Sequence, residues 1–136
     1  MAQRFTPEEA NRLLPRLEPL LRDLVEKRRA LREQQEILAA FRAKVRGNGG
    51  VSRGHEVVAA RQASERLTAQ LQQGIQDIQA FGCVVKDADQ GLVDFPAMRD
   101  GVEVYLCWRL GEDRIAFWHG TDEGYAGRKT LAEEPD

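Results

Sequence analysis

Cys107 and His119 are the residues of this chain whose types most readily suggest chemistry, because a thiolate and an imidazole can bind a transition metal or act as nucleophile and base. Both uses require the two side chains to converge on one point. The chain has only two cysteines and two histidines, and Cys83 and Cys107 have no CxxC neighbour. A four-ligand site is therefore short of donors, and two buried thiols in a reducing compartment are the expected reading.

A second set is Asp94, Tyr105, Arg109 and Trp118, a carboxylate, a guanidinium and two amphipathic rings that alternate along the same tail. Such a group on one face of a sheet could orient a small ligand or anchor a partner. The competing reading pairs Asp94 with Arg109 across two strands and packs the rings beneath a neighbour. Arg128 closes the set from a glycine-rich stretch, Gly120 to Thr130. That stretch looks superficially like a phosphate loop, but Arg128 and Glu123 stand where a Walker motif needs glycine.

These residues need elements to position them, and composition separates two regimes. The first eighty residues are rich in Leu, Ala, Glu, Gln and Arg, whereas both tryptophans, both tyrosines and most strand formers lie beyond them. Residues 1–80 carry fourteen Lys/Arg against ten Asp/Glu, and residues 81–136 carry six against twelve. So modest a basic surplus falls short of a nucleic-acid stripe, and the cluster Lys27, Arg28, Arg29 and Arg32 reads first as a solvated helix face. No apolar run reaches membrane-spanning length and the start lacks a signal-peptide pattern, so a cytoplasmic single domain is expected.

Thr6-Pro7-Glu8-Glu9 is a helix start: Thr6 and Glu9 form a capping box, and Pro7 suits the first turn. Pro15 argues for a break after about Leu14, with a long helix restarting between Pro15 and Pro19 and running to about Arg46. Leu17, Leu24, Leu31, Leu38 and Val45 fall seven apart along it, as in a coiled coil. The glycines at 47, 49, 50 and 54 reverse the chain into a second helix from about His55 to Ala80. The two form an antiparallel hairpin in which Phe41 would meet Ala60.

Beyond Gly82 a short strand at Val84-Val85 precedes three strands, Leu92 to Met98, Val102 to Leu110 and Ile115 to His119, joined by Asp100-Gly101 and by Gly111 to Arg114. The fold class expected is α+β, a long antiparallel α-helical hairpin followed by a three-stranded antiparallel β-meander. Closing both turns pairs Phe95 with Leu106 and Trp108 with Phe117, which puts Val93, Phe95, Val104, Leu106, Trp108, Leu110, Ile115 and Phe117 on the core face. The other face then carries Leu92, Asp94, Tyr105, Cys107, Arg109, Ala116 and Trp118. It is too apolar to face water, so the tail, the first helix or another copy should cover it. In this register Cys107 and His119 point to opposite faces, so neither a metal site nor a Cys-His pair is expected.

FTPEEANRLLPRLEPLL at the front, with GLVDFPAMRDGVEVYLCWRLGE and IAFWHGTDEGYAGRKTL in the tail, resembles an uncharacterised bacterial family catalogued only as a domain of unknown function. The resemblance implies a bacterial cytoplasmic protein and carries over no catalytic residue, cofactor or substrate. The function expected from the residues themselves is a non-enzymatic, self-associating protein-interaction module. It would form a homo-oligomer, most simply a dimer, and would need no cofactor. A helix of about thirty residues spans roughly 45 Å against about 30 Å for a nine-residue strand, so part of the helical seam is left for another chain. The alternative is a small-ligand or enzyme site lined by Asp94, Tyr105, Arg109, Trp118 and Arg128. Nucleic-acid binding by the basic helices is the weakest of the three.

Overall fold

The computed structural model describes residues 3–48 and 54–131. Two helices, α1 (Pro7–Asn48) and α2 (Gly54–Gln79), precede five strands: β1 (Val84–Asp87), β2 (Leu92–Arg99), β3 (Val102–Arg109), β4 (Phe117–Gly120) and β5 (Lys129–Thr130). The strands form one antiparallel sheet in chain order, so the fold is α+β with five strands rather than the three expected. The glycine-rich reversal at 49–53 lies outside the described residues.

The capping box closes reciprocally: the Thr6 amide donates to Glu9 Oε1 at 2.8 Å, and the Glu9 amide to Thr6 Oγ1 at 3.1 Å. The expected break at Pro15 does not occur. Pro15 and Pro19 both sit inside a continuous α1, and both are exposed. Being four residues apart they share the solvent side, where water can serve the carbonyls their missing amides leave unpaired. On the opposite side Ala10, Leu14, Leu17, Leu21 and Leu24 are all buried. A buried leucine contributes roughly 2 kcal/mol, so this stripe outweighs the roughly 3 kcal/mol that an interior proline costs.

The main core joins that stripe to Leu71 and Ile78 of α2 and to Val93, Phe95, Val104, Leu106, Trp108 and Ile115 from the sheet region. Hydrogen bonds then lock the helix end to the sheet. Phe5 donates its amide to the Pro96 carbonyl at 2.8 Å, and its ring meets Phe95 edge-on at 5.3 Å. Asn11 Oδ1 accepts the Ile115 amide at 2.7 Å. Further along α1, Arg28 and Arg32 both reach Asp89 in the β1–β2 turn, which ties the basic cluster to the sheet instead of leaving it wholly in solvent.

The β2–β3 hairpin has the register expected from the sequence, with Phe95 opposite Leu106 and Val93 opposite Trp108. Its turn residues Asp100 and Gly101 take φ values of 53° and 78°, the left-handed pair that a two-residue hairpin requires. The second hairpin differs from expectation by one residue. Phe117 pairs with Cys107, Trp118 with Leu106 and His119 with Tyr105, whereas Trp108 with Phe117 and Leu106 with His119 were expected. The connection is longer than the four-residue turn, because Asn11 holds the Ile115 amide and Glu112 Oε1 holds the Arg109 amide at 2.8 Å. The Arg109 amide, which points toward β4, is thereby withheld from the ladder that a tight turn would have built.

A slip of one residue turns every side chain of a strand to the other side. Trp118 therefore faces the helices and packs against the core, and Phe117 leaves it. His119 moves to the face that carries Asp94 and Cys107.

Candidate functional site

The outer face of β2, β3 and β4 holds a small group of polar side chains with almost no solvent contact: Asp94 is 1% exposed, Cys107 0% and His119 2%. Asp94 sits directly across from Cys107, and His119 lies across from Tyr105, one step further along that face of β3. Their ligating atoms all lie within 4.8 Å of one another. The opposite orientation of Cys107 and His119 expected from the sequence is thus corrected by the β4 slip.

His119 is held at both ring nitrogens. Nδ1 lies 2.8 Å from the Gly120 carbonyl oxygen and Nε2 lies 3.0 Å from Asp94 Oδ2. The other carboxylate oxygen, Asp94 Oδ1, is buried without a hydrogen-bond partner among the described residues. Cys107 has its thiol pKa pushed up to about 12, first by burial and then by the neighbouring Asp94 charge. Cys83, buried at the start of the sheet region, is raised to about 11 by desolvation. Neither is a ready nucleophile, since the thiolate is the reactive form.

The tail supplies the cover that the outer face was expected to need. Arg128 donates to both oxygens of Glu112, at 2.8 and 2.7 Å, and its guanidinium lies 3.9 Å from the Phe117 ring centre and 4.5 Å from that of Tyr125. This stack lies on the side of the sheet to which the slip has brought Phe117. Glu123 accepts the Gly120 amide and the Lys129 ammonium, which fixes the loop between β4 and β5. The bond from Lys129 is the larger reason its carboxyl is held below the usual range.

The five residues singled out from the sequence are therefore divided. Asp94 pairs with His119, and Arg109 instead donates to the Tyr125 hydroxyl at 3.4 Å, so the cross-strand Asp94–Arg109 pair does not form. Tyr105 is half-buried between Lys86, 5.1 Å from its ring centre, and the His119 ring at 5.6 Å. Trp118 lies on the helix side with the Arg99 guanidinium and the Lys129 ammonium over its ring. Arg128 lies over the Phe117 and Tyr125 rings on the outer face and is bonded to Glu112.

Sequence reasoning missed Glu112 and Tyr125 as members of the site. Glu112 was readable only as a turn residue, although its place three residues after Arg109 lets its side chain bond that amide. A four-residue turn from Gly111 to Arg114 puts His119 on the core face, which is why the sequence does not join it to Cys107.

An α+β arrangement with a polar group buried on the outer side of its sheet defines the class of this protein. The chain belongs to the family described as an uncharacterized conserved protein (DUF2203), whose model matches residues 3–131. No curated protein and no solved structure matches the chain.

Proposed function

We propose that this protein is a self-associating interaction module in which the far half of the helical pair binds a second copy. The observation that carries this reading is the loss of cover along α1. From Arg32 to Lys44, after the buried Leu31, the side chains of α1 are all exposed or half-buried. Ile37 is 45% exposed and Val58 of α2 is 50% exposed. Between them a surface hollow of about 220 Å³ is lined by Ile37, Ala40, Phe41, Lys44, Glu56 and Val57.

A second copy suits this surface better than nucleic acid does. Residues 31–66 interleave seven Lys/Arg with four Glu, which is too mixed for a phosphate-binding stripe. Two helical arms overlapping for about 25 Å bury on the order of 1,000 Å² in total, the lower limit of specific interfaces. Such a dimer is weak, and the like charge on each arm makes it stronger in added salt. Among the described residues no helix is long and apolar enough to cross a membrane, and the two free thiols suit a reducing cytoplasm.

Sedimentation equilibrium at micromolar concentration tests this directly. The wild type is expected to dimerise, more tightly at high salt, and the double substitution Ile37→Glu with Val58→Glu to be monomeric with an unchanged melting temperature. A strict monomer at both salt concentrations overturns the reading. Nucleic acid retained at low salt and shed at high salt would replace it with the phosphate-binding alternative.

The second reading, a ligand site on the outer face of the sheet, has one specific observation in its favour. Asp94 presents a buried carboxylate oxygen, Oδ1, that no nitrogen or oxygen donor reaches among the described residues.

A further inference from the structure

Three donors of different chemistry converge where the slipped strand β4 meets β2 and β3. The Gly120 carbonyl can only accept, so His119 Nδ1, 2.8 Å away, carries the ring proton. In a neutral imidazole Nε2 then presents a lone pair. It points at Asp94 Oδ2, 3.0 Å away, which presents lone pairs too. A proton or a metal ion between them completes the contact. A single shared proton would join these two atoms and still leave Asp94 Oδ1 unsatisfied at 1% residue exposure. The thiol of Cys107, wholly buried beside them, is the neighbouring donor to Asp94, and a thiol is a weak one.

We propose that Asp94, Cys107 and His119 bind a divalent transition-metal ion of the zinc class. Each ligand comes from a different strand of the antiparallel sheet, and their donor atoms already lie within 4.8 Å of one another. Bonds of about 2.0–2.3 Å place tetrahedral ligand atoms roughly 3.3–3.8 Å apart, so closure requires only small rotamer adjustments. The mixed sulfur, nitrogen and oxygen set selects zinc, cobalt or ferrous iron over magnesium and calcium, which favour all-oxygen shells. Donation from the far ring nitrogen to a backbone carbonyl is the arrangement that orients metal-bound histidines.

Charge closes the account. One thiolate and one carboxylate neutralise a divalent ion, with histidine neutral, so the buried site carries no net charge once the Cys107 proton has left to solvent. Three protein ligands leave one coordination position for water or a small ligand. The paired Arg128 and Glu112 also act electrostatically on Cys107.

Cobalt(II) titration of the full-length, chelator-treated and reduced protein provides the test, because thiolate-bound tetrahedral cobalt shows a near-ultraviolet charge-transfer band and strong visible bands. The expected result is saturation at one equivalent, displacement by one equivalent of zinc, and one zinc retained in native mass spectrometry. Cys107→Ser should lose the charge-transfer band. His119→Gln should weaken affinity at least tenfold, while Cys83→Ser leaves both band and stoichiometry unchanged. Wild-type protein with native circular dichroism that shows neither a charge-transfer band nor stoichiometric zinc overturns the proposal, whatever the variants do. Binding that survives Cys107→Ser and needs Cys83 or His55 overturns it as well. The dimer state does not enter these readouts, so this proposal and the self-association reading fail separately.

Discussion

The two hairpins of the sheet are built from neighbouring residues and share β3, yet their registers are set by different means. The first is decided locally: Asp100 and Gly101 adopt the left-handed conformations of a tight turn and every pair from Arg99–Val102 to Leu92–Arg109 follows. The second is decided from a distance, by an asparagine on α1 that is 104 residues away from the amide it holds. Glu112 completes that arrangement by taking the Arg109 amide and the Arg128 guanidinium. Local turn chemistry alone therefore gives the right register once and misses it by one residue the second time.

The strongest way to break the second hairpin is to remove its acidic keystone. Glu112→Ala leaves the Arg128 guanidinium, whose side chain is only 10% exposed, without its bidentate partner. The expected loss is about 3 kcal/mol in urea unfolding, reduced from a fully buried pair because Glu112 keeps some contact with water. A loss below about 0.5 kcal/mol would show that the pair is a surface ornament.

Asn11→Leu tests the distant half of the comparison. It removes the acceptor for the Ile115 amide next to a residue that is 3% exposed, and should cost about 2 kcal/mol. Amide exchange should quicken at Phe117 to Gly120 while the β2–β3 amides keep their protection. Equal loss of protection in both hairpins would mean that Asn11 steadies the whole sheet and not its second register.

Gly101→Ala is the smallest perturbation and belongs to the first hairpin. No atom lies within 4 Å of the added methyl carbon, so the cost is the positive φ alone, about 1 kcal/mol. The metal-binding face should be untouched, because the pairs nearest Asp94 lie at the other end of the strands. Cobalt or zinc affinity altered by this substitution would contradict the independence of the two hairpins.

The same contrast explains what could be read from the residues. Capping at Thr6 and the pairing of β2 with β3 depend on short-range patterns, and both are visible in the chain; that the outer face needs cover is visible too, but not which segment supplies it. The continuity of α1 through Pro15 and Pro19 depends on which side of the helix is buried, which no local rule supplies. Strand β5 is two residues long and is held by pairing with β4, so it carries no period of its own. Asp94, Cys107 and His119 were each visible as chemical types. Their convergence was not, because it depends on a loop geometry that Asn11 imposes from the far end of the sequence.

The strap formed by Phe5 and Asn11 also constrains how the protein is made. Its partners Pro96 and Ile115 are synthesised some ninety to a hundred residues later, so the leading turn of α1 leaves the ribosome long before anything can hold it. Helix pairing can begin during translation, but the sheet must wait for the last third of the chain, and these distant closures make the final step slow. An amino-terminal fusion that pulls Phe5 away from Pro96 should therefore delay maturation more than an equally bulky addition at the other terminus.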